Sequence, residues 1–372
     1  MMNGEKYILS FAPQVGTAAE NGAVIKPKRD VIQSSLELGY KEVIALEDLH
    51  FNKFANIPVQ KRELFKRLVH RVVRNRIKKS NLSVLNKLFD RLSMEDTLLV
   101  QYPIYGEHGP EIFNLLCKRI PRLKIKNKII LIHDLESIDR SFNTILSKEL
   151  EWSFIKSFDH IIVHNEIMER LFSNESGENT YHRLGVFDFR LEEDTCAPVG
   201  ITYSQEKRLT VVFAGNLAKA PFITHLSKVS NIDFHIYGPY FPKDLEAKNI
   251  FYHGSLSSEE LIAQSGRYDY GLVWDGDDIN GLSGNFGEYM KLNNPYKFSS
   301  NIVAGLPIIT ASEAAIAPFI KQHNLGIVVN SLMELNDLIL SKTEYIRMKE
   351  SVMGMRDKLI KGERVKEVLS QI

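Results

Sequence analysis

Short runs of apolar, largely β-branched residues recur through the first half of the chain, at 7–11, 42–46, 97–101, 129–133 and 160–164. They recur again in the second half, at 209–214, 233–237, 250–253, 270–274, 307–310 and 326–329. Continuous apolar runs of this length, rather than strict alternation, mark strands buried on both faces of a parallel sheet. Stretches of helical periodicity lie between them, including 31–38, 111–119 and 146–156. Alternation of strand and helix predicts a doubly wound α/β sheet.

A polar stretch at 191–207, with Glu192-Glu193-Asp194 and Pro198-Val199-Gly200, interrupts the rhythm, which then restarts. The expected organisation is therefore a Rossmann-like domain over 1–190, a linker at 191–208 and a second Rossmann-like domain over 209–352. The end of a long final helix, 353–372, is expected to pack back on the first domain. One large α/β domain with insertions is the alternative, but doubly wound domains rarely need so many strands.

Composition narrows the class. The chain has 372 residues, 44% hydrophobic and 25% charged, the mix of a folded globular protein. A net charge of +1 gives no global field that would favour nucleic acid. The two cysteines, Cys117 and Cys196, form no Cys-x-x-Cys pair and no zinc-spaced cluster, so neither a metal site nor a disulfide framework is expected. The start, MMNGEKYILSFAP, does not read as a signal peptide. No apolar run approaches the roughly 20 residues of a membrane span. A cytoplasmic location is the expectation.

In doubly wound sheets ligands bind beyond the carboxyl ends of the strands, so the loops there are where chemistry is sought. The loop after the first strand, Pro13-Gln14-Val15-Gly16-Thr17 through Gly22, has small residues that let backbone approach a ligand. It lacks the dinucleotide fingerprint, and an ordinary turn is the alternative. In the second half, Phe213-Ala214-Gly215-Asn216-Leu217-Ala218-Lys219 offers a tight turn with free N–H groups and a cation, suited to a diphosphate. The most informative segment runs from Tyr289 through Asn293-Asn294-Pro295-Tyr296-Lys297-Phe298 and is followed by Ala304-Gly305-Leu306-Pro307-Ile308-Ile309. Asn294 as N-cap and Pro295 at the first helical position would expose a turn of N–H groups beside Lys297, making an anion site.

Arg183 lies at the end of the first domain, near the expected cleft, and can clamp a phosphate or form a surface ion pair. His133 and Asp134 end an apolar strand; Asp134 is a candidate to accept the acceptor hydroxyl proton, and His133 either does the same or orients it, with Glu107 and His108 competing. Asp275-Gly276-Asp277-Asp278 reads as a solvated loop near the donor rather than a metal site. The stretch 61–79 is strongly basic, with Leu64, Phe65, Leu68, Val69, Val72, Val73 and Ile77 at helical spacing. It predicts a helix with an apolar face on the core. Its basic face is either solvated or turned to an acidic membrane surface, a protein acceptor or another subunit.

Two successive Rossmann-like units with a returning C-terminal helix describe the GT-B architecture. The stretches FAGNLAKAPFI, GLVWDG and NNPYKFSSNIVAGLPIITASEAAIAPFIKQHNLGIVV resemble glucosyltransferase 3-type enzymes, which act on serine-rich-repeat adhesins of Gram-positive bacteria. The strong match runs over 209–330. The resemblance implies a GT-B fold, a UDP-sugar donor, no metal cofactor and a homo-oligomer, a tetramer. It also implies transfer of a hexose, usually glucose, to GlcNAc already linked to Ser or Thr of the adhesin; the alternatives are a galactofuranosyl or other hexosyltransferase of surface-polysaccharide synthesis, and a non-catalytic GT-B subunit that binds glycoprotein and chaperones an active partner. Carried over by position, Thr17, Arg183, Asn216, Tyr237 and the 293–298 stretch are expected around UDP, with Tyr237 stacking on uracil or serving as a core-edge tyrosine. Many retaining GT-B enzymes carry a Glu five residues before the glycine of the Gly-x-Pro unit. Ser300 stands there, which leans the stereochemistry towards inversion.

Overall fold

The computed structural model describes residues 4–10, 25–44, 59–104, 108–139, 146–173, 178–191, 208–339 and 341–372, with side chains of the second helix described from Asn75 onward. Two six-stranded, wholly parallel sheets organise these residues. The first is built from β1 (Lys6–Ser10), β2 (Tyr40–Ile44), β3 (Thr97–Tyr102), β4 (Asn127–Ile132), β5 (His160–Val163) and β6 (Thr180–Arg183), in the order 2-1-3-4-5-6. The second is built from β7 (Leu209–Ala214), β8 (Ile232–Tyr237), β9 (Ile250–Tyr252), β10 (Tyr270–Val273), β11 (Ile308–Ala311) and β12 (Gly326–Val329), in the order 12-11-10-7-8-9.

Each order reverses direction once, between β1 and β3 in the first sheet and between β7 and β10 in the second. At such a switch point the helices leave on opposite faces and a crevice opens beyond the strand ends. The loops after β7 and β10 are the ones that carry Gly215-Asn216 and Trp274-Asp275.

The strands are buried on both faces, as their composition requires. In β3, Leu98, Val100 and Tyr102 enter one core layer, whereas Leu99 enters the layer on the other face. Residues Ile130 and Ile132 of β4 divide from Ile129 and Leu131 in the same way. This is the period-two alternation of a strand with no solvent face. In register, β3 and β4 pair Thr97 with Asn127 and Tyr102 with Ile132. Their C-terminal ends, and so Pro103 and His133, emerge side by side.

The second layer of the first domain is closed by α1 (Ile25–Glu37) together with the chain terminus. Helix α10 (Lys342–Ile360) packs on the second domain through Tyr345, Met348, Val352 and Leu359. The chain then turns at Gly362 (φ +68°), and α11 (Glu363–Leu369) buries Val365, Val368 and Leu369 against α1. The return is thus a break between two helices at 361–362, not one continuous helix. A side chain at Gly362 would meet the Ser34 Oγ at 2.2 Å, so the corner needs glycine. Asp188 accepts from the N–H groups of Arg364 (3.1 Å) and Val365 (2.9 Å) and caps α11; its own burial lifts its carboxyl to about 7.

The basic stretch is helical within α2 (Val59–Arg91), longer than its expected 61–79. The side chains of 61–74 lie outside those described, and Leu85, Leu88 and Phe89 supply the core contacts. Among the described residues no helix is long and apolar enough to cross a membrane.

Candidate functional site

Between the domains lies a cavity of about 790 Å³, within the range of small-molecule sites. Its second-domain wall is built at the switch point. Asn216 ends the β7 loop and its side chain accepts from the Ala218 N–H at 3.1 Å, which starts the turn carrying Lys219. Lys219 lies on the wall with its Nζ 5.3 Å from the centre of the Phe286 ring. Gly238 (φ +135°) packs so closely on this loop that a Cβ there would sit 1.8 Å from the Gly215 carbonyl oxygen. Two loops can meet here only because that side chain is absent.

The opposite edge of this wall is α8 (Tyr296–Val303). Its first turn carries Tyr296 and Lys297 on the cavity lining, and the Phe298 N–H there is taken by the Pro295 carbonyl at 2.9 Å. Lys297 Nζ contacts Asp275 Oδ1 at 2.6 Å and the Trp274 carbonyl at 3.3 Å, and lies 5.0 Å over the Phe213 ring. Burial pushes the Asp275 carboxyl up, against the pull of Lys297 and Lys219; nearby Asp139 pushes the same way as burial. The loop read from sequence as solvated therefore supplies a carboxylate to the cavity wall.

The first-domain wall is the end of β4. His133, 7% exposed, stacks on Phe187 (5.3 Å, 13°), and its Nε2 lies 2.8 Å from Gln101 Oε1. Desolvation, then the charges of Lys28 and His164, hold the imidazole well below its ordinary pKa, so it is neutral at pH 7. Asp134 accepts from the Tyr289 hydroxyl at 3.2 Å. Buried Lys28 donates to the Pro103 carbonyl; desolvation brings its ammonium down to about 7, although Asp134 and Glu136 oppose that. The loop that follows is held from beneath by Glu151 on α4 (Lys148–Ile155). This fully buried carboxylate accepts from the Glu136 N–H (2.7 Å), the Ser137 N–H (3.1 Å), the Ser137 hydroxyl and the Tyr102 hydroxyl (2.7 Å).

Polar contacts clasp the two walls. The Tyr289 hydroxyl accepts from the Leu135 N–H (3.0 Å) while donating to Asp134. Tyr296 donates to Asp30 at 2.9 Å. Asn294 is bound on every side: its N–H reaches His164 Nδ1 (3.0 Å), its amide donates to the His164 (3.2 Å) and Gly185 carbonyls, and its oxygen accepts from Asn165 (2.8 Å).

These placements revise several expectations. Asn216, Lys219, Asn293, Asn294, Pro295, Tyr296, Lys297, His133 and Asp134 all line the cavity. Asn294 is not the N-cap, however; that position is Pro295, extended at ψ 142°, and Asn294 is a strut between domains. Phe298 points into the second-domain core, edge-on to Phe319, because it falls on the sheet-facing side of α8. Tyr237 reaches the wall but is only 3% exposed. Its ring stacks on His253 (4.9 Å) and its hydroxyl bonds Tyr268 (2.8 Å), so it is a core-edge residue and not a base-stacking platform.

Arg183 does not line the cavity. It sits on edge strand β6, half exposed, paired with Glu169 (2.5 Å) and Glu166 (3.3 Å) of α5 (Glu166–Ser173). His108 is buried ahead of α3 (Gly109–Arg119), away from the lining. Gly16, Thr17 and Glu107 fall outside the described residues. Gln101, Glu151 and Lys28 were not singled out from sequence, and Asp275 and Tyr289 were named only as members of their segments, without the contacts they make. The signal for Gln101 was there, a lone amide at the end of an otherwise apolar buried strand.

Two family models, the N-terminal and the C-terminal domain of glucosyltransferase 3-like proteins, match residues 6–180 and 211–372 in that order. A β-1,6-galactofuranosyltransferase, WbbI of Escherichia coli K12, is 31% identical over 58% of this chain; the match spans 63% of that protein, just under two thirds of its length. Glucosyltransferase 3 of Streptococcus gordonii is 27% identical over 74% of this chain and 78% of its own. Among solved structures, one described as trehalose-6-phosphate from E. coli bound with UDP-2-fluoro glucose superposes with a TM-score of 0.56 at 11% identity, over 99% of this chain and 98% of that one. An α,α-trehalose-phosphate synthase (UDP-forming) from Burkholderia vietnamiensis gives 0.51, also at 11%, over 99% of both chains. At that identity the likeness speaks for the GT-B fold alone. With both domain models matched in order on a two-sheet GT-B frame, the chain belongs to the glucosyltransferase 3-like family of glycosyltransferases.

Proposed function

We propose that the chain transfers a hexose from a UDP-sugar to a hydroxyl of a carbohydrate acceptor, using protein cations rather than a metal to stabilise the leaving diphosphate. The observation that carries this reading is one cavity with opposed walls. Lys219, Lys297 and the first turn of α8 converge on one side, and neutral His133 with Asp134 on the other. Charge develops on the diphosphate as the glycosidic bond breaks, and fixed cations in a water-poor cleft stabilise it strongly. A neutral imidazole is the correct form to take the acceptor proton at pH 7.

His133 is the better base of the two candidates, because the Asp134 carboxylate already holds the Tyr289 hydroxyl across the cleft. A base on the wall facing the diphosphate suits single displacement with inversion. Ser300 lies on the wall where a retaining enzyme would present a carboxylate, and its hydroxyl donates to the Lys297 carbonyl.

Family membership supports UDP-glucose as donor and GlcNAc on Ser or Thr of a serine-rich adhesin as acceptor, within a homo-oligomer, a tetramer. The higher identity of WbbI supports a second reading, galactofuranosyl or other hexosyl transfer to a surface polysaccharide. The test is a donor and acceptor screen by mass spectrometry, with UDP-glucose, UDP-GlcNAc and UDP-galactofuranose against a GlcNAc-bearing serine-rich peptide and free glycans. Transfer from UDP-glucose to the peptide, undiminished by EDTA, supports the first reading. Transfer only from UDP-galactofuranose selects the second, and no binding of UDP or any UDP-sugar refutes both.

A further inference from the structure

The pair formed by Gln101 and His133 reaches beyond the base assignment, on which it rests. The two residues lie at the carboxyl ends of adjacent strands, β3 and β4: the register pairs Gln101 with Leu131, so His133, two residues further on, lies diagonally from Gln101 on the same face. Gln101 is 2% exposed, and its amide orientation is fixed from the far side: Nε2 donates to the Lys28 carbonyl at 3.2 Å. That leaves Oε1, an acceptor only, facing His133 Nε2 at 2.8 Å. The ring nitrogen that meets it must therefore carry the proton. The other ring nitrogen, Nδ1, is buried with no hydrogen-bond partner among the described residues, on a side chain that lines the cavity. A buried acceptor left open in this way calls for a donor from a ligand.

The geometry points to Gln101 as a positioning residue: it fixes His133 as the Nε2–H tautomer and so presents the Nδ1 lone pair to the acceptor hydroxyl. In the reaction the hydroxyl oxygen bonds to the anomeric carbon and its proton passes to Nδ1. The bond from the anomeric carbon to the diphosphate oxygen breaks, and its electron pair leaves with UDP. The imidazolium so formed keeps its Nε2–H on Gln101. The ring stack on Phe187 fixes the plane, and Gln101 fixes which nitrogen works. The charged or titratable groups around the imidazole are Lys28 from α1, His164 from the end of β5, and Asp134 beside it. None of these accepts the Nε2 proton in place of Gln101.

The first measurement needs no activity. In ¹⁵N-histidine-labelled full-length protein, His133, assigned by loss of its signals in His133→Ala, is expected as the Nε2–H tautomer at pH 7.5. An Nδ1–H tautomer overturns the proposal. The second is a kinetic series with the best donor and acceptor. Gln101→Leu, checked for native circular dichroism, is expected to mix the tautomers and lower kcat about 10- to 100-fold, with the donor KM changed less than threefold. Gln101→Glu keeps the acceptor and adds a charge that favours the imidazolium, so the acidic limb of kcat moves up by about one pH unit. If Gln101→Leu turns over at the wild-type rate while His133→Ala is inactive, Gln101 has no such role. If His133→Ala itself transfers normally, the base assignment falls, whatever the tautomer.

Discussion

Replacing Lys297 by methionine keeps most of the aliphatic stem and deletes the charge, with it the ammonium that lies 5.0 Å over the Phe213 ring. Two effects must be separated. Lys297 and Asp275 each expose about a fifth of their side chains, 2.6 Å apart. Removing one partner of a fully buried pair costs about 3–5 kcal/mol, and exposed pairs contribute under about 1 kcal/mol. With one fifth still exposed, and with a carboxyl already pushed towards its neutral form, Lys297→Met should destabilise by about 2 kcal/mol. The loss in the transition state is separate. One missing electrostatic donor at a developing anion is worth about 2–4 kcal/mol, or roughly 30- to 1,000-fold in kcat.

Adding Asp275→Asn removes the stranded carboxylate. The double variant should recover about half or more of the lost stability by thermal unfolding and none of the lost turnover, read by UDP release. A double variant whose kcat lies within about threefold of wild type would show that Lys297 serves the fold alone.

Acid should loosen the domain contact. His164 accepts from the Asn294 N–H and is depressed to about 4 by burial, and His133 is depressed likewise. The unfolded chain binds two protons below about pH 6.5 that the folded chain refuses. The stability they confer is therefore complete above 6.5 and falls by up to about 2.7 kcal/mol per pH unit below it; His164→Phe should flatten that slope in thermal melts between pH 7 and 5. Glu151→Ala strands the Glu136 and Ser137 N–H groups and should cost about 3 kcal/mol, whereas Glu151→Gln, which keeps an acceptor, should cost less by denaturant titration. Tyr289→Phe leaves the Leu135 N–H without its partner and removes the hydroxyl donor to Asp134 Oδ1. It should destabilise by about 1–3 kcal/mol by denaturant titration, and a Tyr289→Phe/Asp134→Asn pair should lose less than the sum of the two single changes.

Every apolar run read from sequence overlaps a strand, because burial on both faces leaves a continuous signature. β6 escaped because Thr180–Arg183 is a polar, half-exposed edge. Lys219 was legible for a related reason, since loops at strand ends in a doubly wound sheet face the cleft, and Lys297 was legible from the helix start that Pro295 marks. Roles that depend on which way a side chain turns were not legible. Asn294 and Tyr237 sit at cavity positions, yet other residues already occupy their polar groups. Arg183 faces α5 because its strand lies at the sheet edge, remote from the switch point. Asp275 looked solvated among acidic neighbours, and only the fold brings Lys297 to it across 22 residues.

The most direct measurement is a crystal structure of the full chain with UDP. It should show the diphosphate within ion-pair distance of both Lys219 and Lys297 at the first turn of α8, with Lys297 drawn away from Asp275 and the His133 face left clear for the sugar. A nucleotide bound elsewhere, or bound with Lys297 still locked to Asp275, would contradict the account.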